Sequence, residues 1–222
     1  MKKIRHNVKS QDKAFDLVIF DWDGTLMDTV GKIVTCMQSV AQELALTVPT
    51  EQQVRDVIGL SLPSIMPILF SEHQNHQQII DCYRRHHVAS DYPTPLFDGV
   101  EALIKQLHEA GYQLAIATGK AREGLDKVLE LTGLNQYFHA SRCASDAQSK
   151  PHPEMLHALL SHFDVTADKA IMIGDSIHDL TMANNANMAS IGVSYGAHDE
   201  ARLQRLQPLA IVNSPSAIRD YL

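Results

Sequence analysis

Near the start of the chain stands Phe15-Asp16-Leu17-Val18-Ile19-Phe20-Asp21-Trp22-Asp23-Gly24-Thr25, an apolar run that is followed at once by two aspartates. The β-branched and aromatic residues of 15–20 are typical of a strand that is buried on both faces of a parallel sheet. Open parallel sheets bind their ligands at the carboxyl ends of the strands, where Asp21 and Asp23 stand. Their two carboxylates point to the same side and repel each other, which indicates a nearby cation or a shared proton.

Similar apolar runs recur along the chain and alternate with helical patterns from residue 97 onward. The strand-like runs are 112–117, 170–173, 188–193 and 209–212, with a short edge strand at 139–143. Between them, apolar residues repeat at helical spacing in 100–110, 125–131 and 155–163. Alternation of this kind implies right-handed crossovers between parallel strands. The sequence therefore predicts an α/β protein with a Rossmann-like, doubly wound parallel sheet.

The segment between the first two predicted strands breaks this rhythm, because it contains no convincing strand. Its apolar residues repeat at helical spacing instead. The predicted helical pieces cover 30–44, 54–59, 64–70 and 73–90. Pro93 and Pro95 then form a stiff, non-helical connection. The predicted domains are a core of 1–27 and 96–222 and an all-helical insert of 28–95.

Composition argues against several classes of protein. The chain has 19 Lys and Arg against 26 Asp and Glu, a formal net charge of −7, and 45% hydrophobic residues, which is ordinary for a globular protein. The acidity argues against a nucleic-acid partner, because phosphate backbones are met by Lys and Arg. No apolar stretch reaches the about 18 residues of a membrane span, so we expect no membrane partner and a cytoplasmic location. The basic residues near the start predict a mobile tail; they are Lys2, Lys3, Arg5, Lys9 and Lys13.

The cysteines and histidines form no obvious metal pattern in the sequence. The three cysteines, Cys36, Cys82 and Cys143, lie far apart and lack paired spacing. We therefore expect neither a disulfide framework nor a zinc site built on thiolates. The histidines of the insert are His73, His76, His86 and His87. No acidic or cysteine partner makes them a convincing ligand set, so they are interpreted as surface residues.

A second acidic cluster, Gly174-Asp175-Ser176-Ile177-His178-Asp179, follows the strand predicted at 170–173. Asp175 and Asp179 share one face if a helix starts here. Thr118-Gly119-Lys120 ends the second strand, where a hydroxyl and loop amides suit phosphate oxygens. Lys150 precedes a predicted helix, an unfavourable place for a cation unless an anion is near. Each piece alone also fits a helix cap, a turn or a solvated lysine, but two acidic clusters at two buried strand ends favour a functional site.

With these motifs in this order, the sequence resembles the haloacid dehalogenase-like hydrolase superfamily. The four motifs of that family are matched by 21–25, by Thr118 with Gly119, by Lys150, and by 174–179. The resemblance extends from about Phe15 to the end of the chain, and its layout is similar to the phosphoglycolate phosphatase-like branch. The insert of 28–95 looks like the small helical cap of that branch.

The resemblance implies a role for each motif. Asp21 would be the nucleophile and Asp23 the general acid and base. Thr118 and Lys150 would bind the transferring phosphoryl group. Mg²⁺ would be held by the carboxylates of Asp21 and Asp175 and by the backbone carbonyl of Asp23. The residues expected to support this site are Gly24, Thr25, Gly119, Gly174, Ser176 and Asp179, of which Asp179 would orient Lys150 or a metal-bound water.

Residues of the insert are candidates for substrate contact. Gly59 and Ser61 stand in a predicted loop between helices, which is equally compatible with a plain connector. Arg55 and Arg85 are candidates for a second anionic group of the substrate. Asp23 argues against dehalogenation, since the resemblance implies that dehalogenases lack this second aspartate. Lys32, the one lysine of the insert, argues against the Schiff-base chemistry of the family's phosphonate hydrolases.

The sequence thus predicts a Mg²⁺-dependent phosphatase that hydrolyses a small phosphomonoester, such as phosphoglycolate, a sugar phosphate or a nucleotide. A phosphosugar mutase and a pyrophosphatase remain alternatives, because they share the same core residues. A non-catalytic phospho-ligand-binding module is a further alternative, which the presence of Asp21, Asp23 and Asp175 disfavours. The expected partner is a small phosphorylated metabolite, and the chain is expected to be a monomer or a homodimer.

Overall fold

Six parallel strands form one sheet in this computed structural model, which describes residues 13–222. The strands are β1 (Leu17–Phe20), β2 (Gln113–Thr118), β3 (Ala140–Cys143), β4 (Ala170–Gly174), β5 (Ala189–Val193) and β6 (Ala210–Val212). Their order is β3-β2-β1-β4-β5-β6, the doubly wound order in which a crevice opens between β1 and β4. The predicted basic tail, apart from Lys13, lies outside the described residues.

Helices cover both faces of the sheet. They are α5 (Val100–Glu109), α6 (Arg122–Thr132), α7 (Glu154–Phe163), α8 (Ile177–Asn185) and the short α9 (Glu200–Gln204). Along β1, Val18 and Phe20 face the apolar cluster that contains α5 and α6, whereas Leu17 and Ile19 face the cluster of α7 and α8. Because side chains of a strand alternate between faces, a strand with apolar residues throughout is buried on both sides. The predicted α/β, Rossmann-like architecture is confirmed.

The predicted strands all occur, with small differences at their ends. β1 begins at Leu17 rather than Phe15. Just before it, the backbone N–H of Asp16 donates to the carbonyl of Lys169, and the carbonyl of Asp16 accepts from the N–H of Gln113. The edge strand predicted at 139–143 is β3, which starts one residue later. Shifts of this size are ordinary where a strand or helix ends.

The fully described segment 28–95 is helical and contains no strand. Its helices are α1 (Val30–Glu43), α2 (Glu51–Arg55), α3 (Leu62–Leu69) and α4 (His76–Ala89). They pack around their own apolar cluster, which includes Met37, Met66 and Ile79 and is separate from the clusters of the sheet. Backbone hydrogen bonds between 26–28 and 95–97 hold the two connections of the insert side by side. The division into two domains at these connections stays a prediction.

None of the described helices combines the length and the apolar character that crossing a membrane requires. The three cysteines are buried and unpaired.

Lys150 lies in the loop that follows β3, just before α7. The loops at the carboxyl ends of β1, β2 and β4 therefore meet at one edge of the sheet, with Lys150 nearby.

Candidate active site

Four charged side chains meet in the crevice at the carboxyl edge of the sheet. Carboxylate oxygens of Asp21, Asp175 and Asp179 lie within 4.8 Å of one another. The ammonium nitrogen Nζ of Lys150 lies 2.8 Å from Oδ1 of Asp21 and 2.6 Å from Oδ1 of Asp179. None of the four residues is more than 1% exposed. Parallel pairing of β1 with β2 and β4 produces this convergence, since it aligns their carboxyl ends.

Burial sets the electrostatics of this group. It raises the pKa of Asp21 well above its ordinary value, and the nearby Lys150 offsets only part of that effect. Burial, together with the charge of Asp179, raises the pKa of Asp175 to about 7. Burial alone would lower the pKa of Lys150, but Asp179 and Asp21 outweigh it, so that this pKa is raised. Three carboxylates against one ammonium leave an excess of negative charge, which a cation would relieve.

Asp21 is the least satisfied member of the group. Both of its carboxylate oxygens are buried, and neither accepts a hydrogen bond from the described residues. Nζ of Lys150 lies 2.8 Å from Oδ1 as an ion pair, which leaves Oδ2 without a partner among the described residues. Leaving a buried acceptor unpaired costs about 1–3 kcal/mol, and more for a charged one. Asp21 therefore has oxygen lone pairs available for a cation or for a reacting atom.

Asp175 is held firmly by the loops around it. Oγ1 of Thr25 donates to Oδ1 of Asp175 at 2.8 Å, and the backbone N–H of Ala197 donates to Oδ2 at 2.7 Å. Gly24 has a φ of +82°, and a Cβ there would lie 2.2 Å from Oδ2 of Asp175. Only glycine suits both this left-handed backbone and this close approach. The predicted supporting residues Gly24 and Thr25 thus lie against Asp175.

Asp179 joins the start of α8 to Lys150. Its Oδ2 accepts hydrogen bonds from Oγ of Ser176 at 2.6 Å and from the backbone N–H of Ser176 at 3.1 Å. Oγ of Ser176 in turn accepts from the backbone N–H of Asp179 at 3.3 Å, which completes a capping box. Oδ1 of Asp179 accepts from Lys150. A Cβ at Gly174 would lie 2.3 Å from Cβ of Asp179, so a small residue is needed there. Asp179 lies with Asp21 and Asp175, two of the predicted metal ligands, but both of its oxygens already have partners.

Asp23 and Thr118 lie beside Lys120, a residue that sequence reasoning left without a role. Nζ of Lys120 lies 2.9 Å from Oδ2 of Asp23, and the backbone N–H of Lys120 donates to Oγ1 of Thr118 at 3.2 Å. Thr118 is buried, whereas the side chains of Lys120 and Asp23 are 12% and 13% exposed. The signal for Lys120 was its position directly after Thr118-Gly119, at a strand end.

A second feature that the sequence analysis missed is the loop after β5. The backbone N–H groups of Ala197 and His198 bond Asp175, and Oη of Tyr195 donates to the carbonyl of Thr25 at 3.1 Å. A Cβ at Gly196 would lie 2.3 Å from Cβ of Asp175. The available signal was topological, because β5 pairs with β4 and its carboxyl end reaches the same edge of the sheet.

The insert contacts this edge through the loop that contains Gly59 and Ser61. A Cβ at Gly119 would lie 2.4 Å from the carbonyl oxygen of Gly59 and 2.6 Å from that of Leu60. The backbone N–H of Ser61 donates to Oγ of Ser149 at 2.9 Å, next to Lys150. Two of the predicted insert residues are thus brought to the margin of the buried charges.

The two arginines have different surroundings. Arg55 pairs with Glu51 at 2.7 Å, and its Nη1 lies 3.4 Å from the carbonyl oxygen of Gly196, in a cleft between the insert and the core. Arg85 pairs with Glu43 at 2.6 Å, and its side chain is 63% exposed. Among the described residues, Arg85 has no hydrogen bond or ion pair with the core. The structure thus places Arg85 on the surface of the insert, and its contact with substrate stays a prediction.

Comparison with known families agrees with this geometry. Residues 18–193, from β1 to the end of β5, match the family model described as haloacid dehalogenase-like hydrolase. The chain belongs to the haloacid dehalogenase-like hydrolase family. Its layout is that of the phosphoglycolate phosphatase-like branch. Asp21, Thr118, Lys150 and Asp175 remain the residues predicted to carry the family motifs. Their individual roles stay predictions.

Individual relatives are similar over almost the whole chain. The probable phosphatase IndB of Dickeya dadantii is 34% identical over 91% of this chain and 91% of its own. Phosphoglycolate phosphatase of Vibrio parahaemolyticus is 31% identical over 93% of this chain and 95% of its own. Pyrophosphatase PpaX of Halalkalibacterium halodurans is 29% identical over 92% of this chain and 95% of its own. The crystal structure of a predicted phosphatase from Clostridium acetobutylicum has a TM-score of 0.83 at 26% identity, covering 94% of this chain and 98% of its own.

Proposed function

We propose that this phosphatase hydrolyses a small phosphomonoester through a covalent aspartyl-phosphate on Asp21. One observation carries the proposal: Asp21 is buried at a strand end, its carboxylate oxygens accept no hydrogen bond from the described residues, and Lys150 lies 2.8 Å away. A nucleophile needs an unengaged lone pair and a neighbour that stabilises charge. The phosphatase names of the relatives support the same reaction class.

In the first step, a carboxylate oxygen of Asp21 attacks phosphorus, and the bond from phosphorus to the ester oxygen breaks. Asp23 transfers a proton to the leaving oxygen, so that an alcohol departs. Lys150 and Thr118 bind the oxygens of the phosphoryl group during the transfer. The ion pair between Lys120 and Asp23 must loosen for this step. The substrate phosphate offers Lys120 another negatively charged partner, which frees Asp23 to take up from water the proton that it then transfers to the leaving oxygen.

In the second step, Asp23 takes a proton from a water molecule that attacks phosphorus. The bond between phosphorus and the Asp21 oxygen breaks, which releases inorganic phosphate and restores the Asp21 carboxylate. Asp179 positions Lys150 throughout, because its Oδ1 accepts a hydrogen bond of 2.6 Å from Nζ.

The residues of the site fit Mg²⁺. The carboxylates of Asp21 and Asp175 and the backbone carbonyl of Asp23 would hold it, and oxygen donors are what this ion prefers. The unpaired oxygens of Asp21 and the excess negative charge of the buried group support such a site. When bound, Mg²⁺ supplies positive charge that neutralises the phosphoryl oxygens and the nucleophile.

The insert of 28–95 acts in this proposal as a cap that selects the substrate. Its loop at Gly59 and Ser61 faces the margin of the site, and Arg55 lies in the cleft between the insert and the core. Phosphoglycolate, a sugar phosphate or a nucleotide are the proposed substrates. The similarity to a phosphoglycolate phosphatase supports the first of these, and the similarity to a pyrophosphatase makes an inorganic or organic pyrophosphate the second candidate class.

The surroundings of the enzyme are proposed from its composition. A net charge of −7 suits neither a nucleic-acid nor an anionic membrane partner. Three buried, unpaired cysteines suit the reducing conditions of the cytoplasm. A monomer or a homodimer is proposed, with a small phosphorylated metabolite as its partner.

The experiment that tests this function is phosphate release from a panel of phosphomonoesters and pyrophosphate, with Mg²⁺ and with EDTA. Wild type is compared with Asp175→Asn and with Asp16→Asn. Asp16 is a suitable control because it is exposed and precedes the amino end of β1, away from the candidate site. We expect release that requires Mg²⁺ and Asp175 but not Asp16. Release that is unchanged in EDTA would contradict the Mg²⁺ site, and a folded protein with no release from the whole panel would contradict the function.

A further inference from the structure

A second group of metal-binding side chains lies in the insert, apart from the active site. Glu43 stands at the end of α1, and Cys82 and His86 stand on α4. One potential ligand atom from each of the three lies within 4.8 Å of the other two. We name Glu43, Cys82 and His86 the α1–α4 cluster. The sequence analysis found no acidic or cysteine partner for His86, but the fold supplies one of each.

We propose that the α1–α4 cluster binds a divalent cation of the Zn²⁺ class through one thiolate, one imidazole and one carboxylate. Sulfur and nitrogen donors suit Zn²⁺, whereas Mg²⁺ prefers oxygen donors alone. The donor set therefore differs in kind from the all-oxygen set of Asp21, Asp175 and Asp179. The proposal shares no residue with the active site and stands independently of the proposed reaction.

The helix spacing favours joint coordination. Cys82 and His86 are four residues apart on α4, so their side chains share one face of the helix. Nε2 of His86 lies 2.7 Å from Oε2 of Glu43. Ligands at about 2.0 Å from a tetrahedral zinc lie about 3.3 Å apart, so this pair has to open by about 0.6 Å. The side chains of His86 and Glu43 are 31% and 44% exposed, which leaves room for that movement.

The surroundings of the cluster meet two further requirements of a metal site. Arg85 pairs with Oε1 of Glu43 at 2.6 Å, which orients the carboxylate so that Oε2, whose partner is the other proposed ligand atom Nε2 of His86, can turn toward a metal. The exposed carboxylate gives a route of entry from solvent to the buried sulfur of Cys82. Three protein ligands leave a fourth position for water, as in other open zinc sites.

Binding requires that Cys82 lose its proton. Burial raises the pKa of the Cys82 thiol, and the neighbouring Glu43 carboxylate adds to this effect. In the metal-free protein the thiol is therefore protonated, and coordination breaks the S–H bond and releases that proton to solvent. No electron is transferred. The bound cation joins α1 to α4, so it stabilises the packing of the insert.

The test is a Co²⁺ titration of reduced, EDTA-treated protein, read at the near-ultraviolet sulfur-to-cobalt charge-transfer band. Cys36 and Cys143 are matched controls, because both are buried, unpaired cysteines outside the cluster. We expect a band that saturates at one Co²⁺ per chain in wild type, Cys36→Ala and Cys143→Ala, and that disappears in Cys82→Ala. Oxygen ligands of the active site give no such band.

Two variants at exposed ligands keep the test independent of core packing. Glu43→Gln and His86→Gln are expected to weaken Co²⁺ binding by at least about tenfold. Replacing a residue that merely hydrogen-bonds to a metal ligand already lowers metal affinity by about that factor. Zn²⁺ is expected to raise the unfolding temperature of wild type and of Cys36→Ala, but not of Cys82→Ala. The absence of the band in wild type, or a band that survives in Cys82→Ala, would overturn the proposal.

Discussion

The carboxyl edge of the sheet and the helical insert use similar side chains under different conditions. At the edge, Asp21, Asp175, Asp179 and Lys150 are at most 1% exposed, and Asp21 accepts no hydrogen bond from the described residues. In the insert, the carboxylate of Glu43 is 44% exposed and has two partners. Residue type is therefore a poor guide to reactivity. Buried at the end of β1, Asp21 has the Lys150 ammonium as its ion-pair partner, whereas Glu43 is partly solvated and pairs with Arg85 and His86.

The largest expected effect is that of Asp21→Asn. It removes the proposed nucleophile, so we expect phosphate release to fall by a factor on the order of 10⁴ or more. The fold should persist, because the substitution also removes a buried carboxyl group whose ionisation is disfavoured, as its pKa, raised by burial, indicates. Steady-state kinetics and circular dichroism check both parts, with Asp16→Asn as the control. Wild-type turnover in Asp21→Asn would contradict the claim that Asp21 at the sheet edge is reactive whereas the paired Glu43 of the insert is not.

Lys150→Met tests whether the edge depends on its one buried cation. The substitution leaves Asp21 and Asp179 buried without their ammonium partner, so we expect a loss of about 3–5 kcal/mol in the free energy of unfolding. Urea denaturation at neutral pH measures it, and Lys169→Met, at an exposed lysine, is the control. If both variants lost an equal and small free energy of unfolding, the buried ion pairs of Lys150 would not stabilise the fold more than an exposed lysine does.

Asp175→Asn tests the excess negative charge of the edge. At a Mg²⁺ concentration of 100 times the dissociation constant, we expect wild type to gain about 2.7 kcal/mol of stability. Asp175→Asn should lose that gain. Without Mg²⁺, wild type should lose stability as the pH rises from about 4 to about 7, because burial raises the pKa of Asp175 to about 7, and Asp175→Asn should lose less over this range. Thermal unfolding with Mg²⁺ and with EDTA distinguishes the variants, and an unchanged Mg²⁺ response would contradict the site.

Gly119→Ala tests the contact between the two regions. The added methyl would lie 2.4 Å from the carbonyl oxygen of Gly59, so the loop of the insert must move. Misplacement by about 1 Å can cost about a hundredfold, and we expect kcat/KM to fall by up to that factor. Gly133→Ala is a useful contrast, because it is strained at a φ of +67° but meets nothing within 4 Å. It should lower stability by about 1–2 kcal/mol and leave kcat/KM unchanged.

Arg85→Ala is expected to have the smallest effect. Arg85 is 63% exposed and pairs with Glu43 on the surface of the insert, and such pairs contribute little. We expect kcat/KM to stay within about twofold of wild type. Substrate profiles of Arg85→Ala and Arg55→Ala make the comparison sharper, since only Arg55 lies in the cleft between insert and core. A large rise in KM for Arg85→Ala would restore it as a substrate-contact residue.

The strands and the motifs at their ends were predictable because each is a local pattern. The apolar run that forms β1 carries Asp21 at its end, and parallel pairing with β2 and β4 then fixes where Thr118 and Asp175 lie. The start of a helix after Asp175 was recognisable from the sequence, and in the structure Ser176 and Asp179 form the capping box of α8. In these places a short piece of sequence determines both the backbone and the direction of the side chain.

Contacts between distant segments could not be predicted in this way. The pairing of Lys120 with Asp23, the bonds from the 195–198 loop to Asp175, and the grouping of Glu43 with Cys82 and His86 join residues that are far apart in sequence. The surroundings of Arg85 could not be predicted for the same reason, since its direction depends on how α4 packs against α1. Such contacts follow from packing, which periodicity does not specify.

The most direct test of the central claim is chemical trapping of the intermediate on Asp21. Wild type is mixed with its best substrate from the panel, quenched in acid and treated with borohydride, which reduces an acyl phosphate to an alcohol. Peptide mass spectrometry then locates the product. We predict homoserine at position 21, and none in Asp21→Asn. Rapid turnover without homoserine at position 21, or homoserine at another aspartate, would contradict the assignment of Asp21 as the nucleophile.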